Sequence, residues 1–478
     1  MPLYTKKGRF IMTVDLSPVF AGKKVILLGA GVSNMPLARM LAKMGASIEV
    51  RDKKTLAELG AAGEELLSLG ATLTLGDEYL SKMEGDFVFR SPGFRPDIPV
   101  LSDARERGIC VTGEIEMFIE KAPCTVIGVT GSDGKSTTTT LISKILEESS
   151  PSHRRVFLGG NIGEPLLHRL CDMTENDIVA AELSSFQLMG ISAPVTVAVI
   201  KNVTPNHLNW HTGMDEYIEA KAKILNGARR AVLNYDDEVC RSLADRCSCP
   251  VVWFSRKPIP KNFLCDFAGG VYPLEGSLVT DIDGVITPVV SLEDILLPGE
   301  HNAENYATAI AATLGYASAD AVRHVAETFG GVRHRLELVR DADGVKYYNS
   351  SIDSSPTRTA AAISALSIPI HIICGGYDKN IPFEPLAEAL IACPYIKTVV
   401  LTGATLEKIR ESLVSHPAFT ASGIKLLCEP DFERAVKLSA SLAESGECVL
   451  LSPACASFDA FPNFEVRGER FKEIVNGL

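Results

Sequence analysis

The sequence predicts an α/β fold in three domains. The outer two are Rossmann-like, and the central one is a P-loop ATPase-like domain built on a parallel sheet. Three observations carry this. The chain has 478 residues, too long for a single hydrophobic core. Apolar runs of strand length recur, each followed by a turn and then a helical pattern, as parallel doubly wound sheets require. One such turn, Gly128–Ser136, is a glycine-rich loop ending in Lys-Ser.

The first segment is expected over residues 1–121. It opens with the apolar run Lys24–Leu28, the glycine turn Gly29–Asn34, a helical pattern at Met35–Met44 and a strand at Ser47–Asp52. A second unit ends in the strand pattern Asp86–Arg90 and the turn Ser91-Pro92-Gly93-Phe94. The second segment, 122–330, begins with the buried-type strand Cys124–Val129, which runs into the glycine loop. Strands are expected at Asp177–Ala181, Val195–Ile200 and Ala231–Asn234, a turn-rich stretch of short β-like runs between Ser255 and Pro298, and a helix at Ala303–Leu314. The third segment, 331–478, shows strand patterns at Ile370–Cys374, Thr398–Leu401 and Val449–Leu451.

Composition narrows the function classes. A net charge of −12 argues against attraction of the whole chain to nucleic acid or an anionic membrane. No run of about 18 apolar residues is present, so no membrane span is expected. The 12 cysteines are scattered without paired CxxC motifs, which points to reduced thiols and a cytoplasmic protein rather than to zinc or disulfides.

The loop Gly128-Val-Thr130-Gly131-Ser132-Asp133-Gly134-Lys135-Ser136 departs by one residue from the strict phosphate-loop pattern, because its glycines stand at 128, 131 and 134. The context agrees nonetheless: a strand precedes it, and Thr137 opens a threonine-rich helix start. Backbone N–H groups and the helix dipole can cradle phosphates, Lys135 can neutralise their charge, and the Ser136 hydroxyl suits Mg²⁺. The plain alternative is an ordinary glycine turn before a helix.

Downstream, Glu182 stands at a strand end in Glu182-Leu-Ser-Ser-Phe-Gln187. His207 follows the next strand in Asn202-Val-Thr-Pro-Asn-His207, and Lys221 lies on a helix in Tyr217-Ile-Glu-Ala-Lys221. In a parallel sheet, strand C-termini share one edge, so these groups can converge on the loop. A structural histidine and a solvated lysine are the plain alternatives.

Loop and downstream segments together resemble the Mur ligase family, which builds the peptide of bacterial cell-wall precursors and has folylpolyglutamate synthases as relatives. The resemblance implies ATP and Mg²⁺ as cofactors. It implies Lys135, Glu182, His207 and Lys221 as catalytic residues, with Ser136, Glu182, His207 and Lys221 around the metal and Lys221 carbamylated by CO₂. It places ATP on Gly128, Thr130–Thr137, His301, Asn302, Asn305 and Arg335, from the segment Gly299-Glu-His301-Asn302-Ala-Glu-Asn305 and the hinge around His334-Arg335. Two positions depart from the family: Asn206 stands where Asp is common before the histidine, and Asn209-Trp210 stand where a charged pair is common.

The resemblance is strongest to the D-glutamate-adding branch, through Leu450–Asp459 and Phe461-Pro-Asn-Phe464-Glu-x-Arg-Gly468. It implies a UDP-substrate site at Gly31, Val32, Ser33, Asn34, Arg51, Asp52, Ser91, Pro92, Gly93 and Asn161, and a D-glutamate site at Arg358, Lys379, Ser457 and Phe464. The implied partners are UDP-N-acetylmuramoyl-L-alanine and D-glutamate, and the implied state is a monomer. Ser350 stands where relatives usually carry Asp, with Asp353 nearby. The rivals are a family member that adds another amino acid or extends folate, and a non-catalytic nucleotide-binding regulator. A dehydrogenase is the rival reading of the Gly29–Asn34 turn.

Overall fold

The computed structural model describes residues 3–4, 10–11 and 14–478, apart from 32, 208, 209, 298, 379 and 380. The chain divides into two compact units, 1–294 with 303–325, and 295–302 with 326–478. The first unit holds two of the large sheets.

The first sheet runs, in spatial order, Thr72–Leu75, Ser47–Asp52, Lys24–Leu28, Phe87–Arg90, Cys110–Thr112, all parallel. Its two central strands are apolar between Lys24 at the start of one and Arg90 at the end of the other, as burial on both faces demands. The strand order reverses between Lys24–Leu28 and Phe87–Arg90. The turns Gly29–Asn34 and Ser91–Phe94 leave the sheet there, which is where doubly wound folds bind ligands. Glycine is required at 29: φ is +96°, and a Cβ would lie 2.6 Å from Ser91 Oγ.

The second sheet has nine strands. From one edge these are Val156–Gly160, Ile178–Glu182, Thr125–Thr130, Val197–Ile200, Arg230–Asn234, Val251–Phe254, Gly269–Leu274, Ser277–Ile282 and Val285–Ser291. The first seven are parallel, and the last two are antiparallel. The expectation of a parallel sheet is corrected at this edge, and residues 269–291 of the turn-rich stretch form a hairpin meander. Its turns are Glu275-Gly276 (φ 49° and 77°) and Asp283-Gly284 (φ 52° and 77°). Two left-handed residues in a two-residue loop match the twist of paired strands. Trp253, 0% exposed, fills the core here, with Tyr235, Phe263 and Phe267 against its ring edges.

The second unit carries a six-stranded sheet, Glu337–Ala342, Val345–Asn349, Cys448–Leu451, Ile370–Cys374, Ile396–Leu401, Lys425–Cys428. Only the first pair is antiparallel. Among the described residues no helix is long and apolar enough to cross a membrane.

Candidate active site

Thr125–Thr130 lies between Ile178–Glu182 and Val197–Ile200, so the glycine loop, Glu182 and Lys201 leave the sheet side by side. The helix Lys135–Ser149 starts directly after Gly134, whose φ is +76°. A Cβ at Gly134 would lie 2.8 Å from Asn305 Oδ1, so no larger residue fits. Lys135 folds back over the loop and donates to Gly131 O and Ser132 O, both at 2.9 Å. Asn202 shapes the loop from outside: its Oδ1 accepts from the backbone N–H groups of Ser132 (2.9 Å) and Asp133 (2.8 Å). Ser132 Oγ donates to Thr204 O, and Tyr217 lies 3.0 Å from that hydroxyl.

Lys221 reaches the same loop from the helix Met214–Ala222. Its Nζ donates to Gly131 O at 2.7 Å, so two lysine ammonium groups share one carbonyl. Burial, then the nearby Lys135 charge, pushes the Lys221 amine down to about 7. The ring of Tyr217 lies 4.5 Å from its Nζ.

Glu182 is 2% exposed. Asn161 Nδ2 donates to Glu182 Oε1 at 2.8 Å, while Oε2 is buried without a hydrogen-bond partner. A desolvated carboxylate oxygen in this state is costly unless a cation takes it. His207, at φ +56°, packs its ring 4.9 Å from Phe186. Partial burial, then the charges of Lys135 and Lys221, hold it below the usual imidazole range, so its lone pair is available. The donor set is therefore the orphaned Glu182 oxygen, the Ser136 hydroxyl beside the loop and an uncharged imidazole. It fits a hard divalent cation that takes its remaining ligands from phosphate oxygens. Among the described residues, no three His, Cys, Asp or Glu side chains form a metal cluster by themselves.

Sequence reasoning missed Lys201 and His211. Lys201 is 1% exposed, and its Nζ meets Asn305 Oδ1 at 2.5 Å and Glu304 Oε1 at 3.1 Å. Thr138 Oγ1 also donates to Asn305 Oδ1, at 3.1 Å. The Asn305 amide is thereby turned with its oxygen toward the loop helix. The signal was available, since a lysine directly after an apolar strand sits at the ligand edge of a parallel sheet. His211 Nε2 lies 2.9 Å from Ser185 Oγ.

In the first sheet, Ser91, Pro92, Gly93, Gly31 and Ser33 line the two turns at the strand reversal. Asn34 is 2% exposed, and its Nδ2 clamps Gly29 O (2.8 Å) and Ser91 Oγ (3.2 Å). Arg51 is spent on Glu49, Ser81 O and Lys82 O, and Asp52 Oδ2 accepts from Ala30 N. Asn34 and Asp52 brace the turns in this structure, and Arg51 ties its own strand to the segment at Ser81 and Lys82. Val32 lies outside the described residues.

In the second unit, His301 and Asn302 occupy the first turn of the helix Glu300–Thr313. Arg335 sits between two left-handed residues, His334 and Leu336. Ser457 is 1% exposed, with a hydroxyl lacking a partner. Ser351 Oγ donates to Phe464 O (2.8 Å), and Arg358 donates to Ile352 O (3.1 Å). Ser350 Oγ accepts from Leu336 N, and Asp353 accepts from Ser452 Oγ (2.9 Å). Burial pushes the Asp353 carboxyl up to about 6. Lys379 lies outside the described residues.

Comparison with known proteins identifies the family. Residues 129–313 match the Mur ligase middle domain, and residues 334–455 match the Mur ligase glutamate ligase domain. A UDP-N-acetylmuramoylalanine–D-glutamate ligase of Clostridium novyi is 44% identical over 95% of this chain and 97% of its own. One of the same name from Clostridium beijerinckii is 43% identical over 97% and 99%. Among solved structures, the MurC ligase of Thermotoga maritima (TM-score 0.57, 20% identity, 95% of this chain and 99% of that one) shares the fold. So does the MurF ligase of the same organism in complex with ADP (TM-score 0.52, 18% identity, 96% and 97%). With this degree of identity along nearly its whole length, the chain belongs to the Mur ligase family.

Proposed function

We propose that the chain is the ATP-dependent ligase that joins UDP-N-acetylmuramoyl-L-alanine to D-glutamate, releasing ADP and phosphate. The observation that carries the choice of substrates is the full-length likeness to ligases bearing that name. The chemistry follows from the loop and its neighbours. A carboxylate acylates an amine poorly, because oxide is a poor leaving group. Attack of one carboxylate oxygen on the γ-phosphorus breaks its bond to the bridging oxygen, releases ADP and forms an acyl phosphate. The glutamate amine then adds to the carbonyl carbon. The tetrahedral adduct expels phosphate, which keeps the carboxylate oxygen, and the amine loses its proton.

Lys135 and the loop N–H groups hold the phosphates and offset their charge as two anions approach. Mg²⁺ would be held by Glu182, Ser136 and His207, and would supply charge neutralisation at the phosphates. Lys221 is proposed to react as its neutral amine with CO₂. The carbamate changes its charge from positive to negative. Repulsion from Lys135 across Gly131 O becomes attraction, and a second anionic oxygen ligand is added near Glu182. The adenine end of ATP is assigned to His301 and Asn302, and further ATP contacts to Asn305 and Arg335. The uridine nucleotide is assigned to Gly31, Ser33 and Ser91–Gly93, with Asn34 and Asp52 bracing those turns and Arg51 on the neighbouring strand end. The amino acid is assigned to Arg358, Ser457 and Phe464 of the second unit. The chain is read as three functional domains, 1–121, 122–330 and 331–478.

An isotope experiment tests the acyl phosphate. With the alanyl carboxylate labelled with ¹⁸O, one label should appear in the released phosphate for each amide formed. Unlabelled phosphate would refute the route.

A further inference from the structure

Two residues tie the turn of the first sheet to the loop bearing His207. Trp210 donates from Nε1 to Gly93 O at 3.1 Å, and its backbone N–H donates to His207 O at 3.0 Å. Its ring packs against Phe186 at a tilt, with centroids 4.4 Å and planes 50° apart, and Phe186 meets the His207 ring edge-on. Arg95 follows the same turn. It donates to Trp210 O (3.0 Å) and to Glu216 Oε1 (2.7 Å), and its guanidinium lies 5.2 Å from the Trp210 ring centre. Glu216 in turn accepts from Thr212 N and Thr212 Oγ1, in the first turn of the helix that carries Lys221. One guanidinium therefore holds the His207 turn and the start of the Lys221 helix, and it is anchored one residue after Phe94, whose carbonyl accepts from Arg90. A displacement of Ser91–Gly93 has a direct bonded path to both groups.

We infer that Arg95 and Trp210 are positioning residues that couple occupancy of the Ser91–Gly93 turn to the placement of His207 and the Lys221 helix. This rests on the reading that the turn takes the uridine nucleotide. Its consequence is that the acceptor substrate and the metal–nucleotide bind cooperatively. The path is a contiguous set of hydrogen bonds and tilted or edge-on ring contacts, and coupling of this kind is reciprocal.

The test is calorimetry on the full chain. Affinity for the magnesium complex of a non-hydrolysable ATP analogue is measured with and without UDP-N-acetylmuramoyl-L-alanine. The substrate should tighten nucleotide binding by about tenfold, within the usual range for coupled sites. In Arg95→Met and in Trp210→Phe the factor should fall to about one, while each ligand alone binds within about threefold of its parent affinity. No coupling in the parent, or an unchanged factor in both variants, overturns the inference. Gly93→Leu separates this from the underlying reading. A side chain there enters open space, so the fold is kept while the turn is blocked. Unimpaired substrate binding by Gly93→Leu would remove the turn as the site, and the inference with it. Lost binding in Gly93→Leu, with coupling intact in Arg95→Met and Trp210→Phe, would remove the relay alone.

Discussion

Asn161 donates its side-chain N–H to Glu182 Oε1 at 2.8 Å, and this bond decides which carboxylate oxygen is left over. Oε2 is buried and unpartnered, beside a loop built for phosphate. Asn161→Ala should raise the Mg²⁺ concentration for half-maximal activity by about tenfold, as loss of an outer partner to a metal ligand commonly does. Glu182→Gln should raise it further. Magnesium titrations of the initial rate check both, and an unchanged midpoint in Glu182→Gln would remove Glu182 from the metal.

Lys221 shares Gly131 O with Lys135, an arrangement that favours an uncharged or anionic group at 221. Lys221→Ala should lose at least about a hundredfold in kcat, the scale of a lost preorganised charge. Added acetate or formate should restore part of the rate by standing in for the carbamate. Full activity in the unsupplemented variant would dispose of the carbamate.

Among the described residues Glu304 pairs with two cations, Lys201 and Arg256, and Lys201 with one carboxylate. Their single substitutions should therefore differ. Glu304→Gln strands a fully buried ammonium and should destabilise by about 3–5 kcal/mol. Lys201→Met leaves Glu304 with Arg256 and should cost less. Denaturant unfolding of both variants measures the difference, and equal losses would contradict it.

Glu114 is buried under the backbone N–H of Leu167, at 2.6 Å, and desolvation pushes its carboxyl from 4.5 up to about 7. Between those values the folded state holds a proton that the unfolded state has lost, so stability falls as pH rises through that window. Below pH 4.5 both states are protonated and nothing is lost, whereas above 7 the full penalty applies, about 3 kcal/mol. Glu114→Gln keeps an acceptor for Leu167 and cannot ionise. Its melting temperature should exceed the parent's at pH 8, with the gap closing by pH 5. A gap independent of pH would show that Glu114 carries no such shift.

The sheets were legible because parallel strands buried on both faces read as mainly apolar runs, as Lys24–Leu28, Thr125–Thr130 and Ile370–Cys374 do. The meander from Gly269 to Ser291 was read as turns and short β-like runs without a pairing. Its outer strand alternates exposed and buried positions, and its two glycine turns were not weighed as hairpins. In the site, Lys135, Glu182 and Lys221 were legible from their places at strand ends and on a helix, together with the family resemblance. Lys201 carried a signal that was passed over, its place directly after the apolar strand Val197–Ile200, whereas Asn202 was not legible, because its importance depends on which loop lies beside it in space. Nor was the tie made by Arg51, whose partners Ser81 and Lys82 are some thirty residues away.

The most direct test of the whole account is phosphate release from ATP with UDP-N-acetylmuramoyl-L-alanine and a panel of amino acids, alongside Lys135→Ala. The account predicts release that requires both substrates, prefers D-glutamate over L-glutamate and diamino acids, and disappears in Lys135→Ala. Equal release without D-glutamate, or a preference for another amino acid, would contradict it.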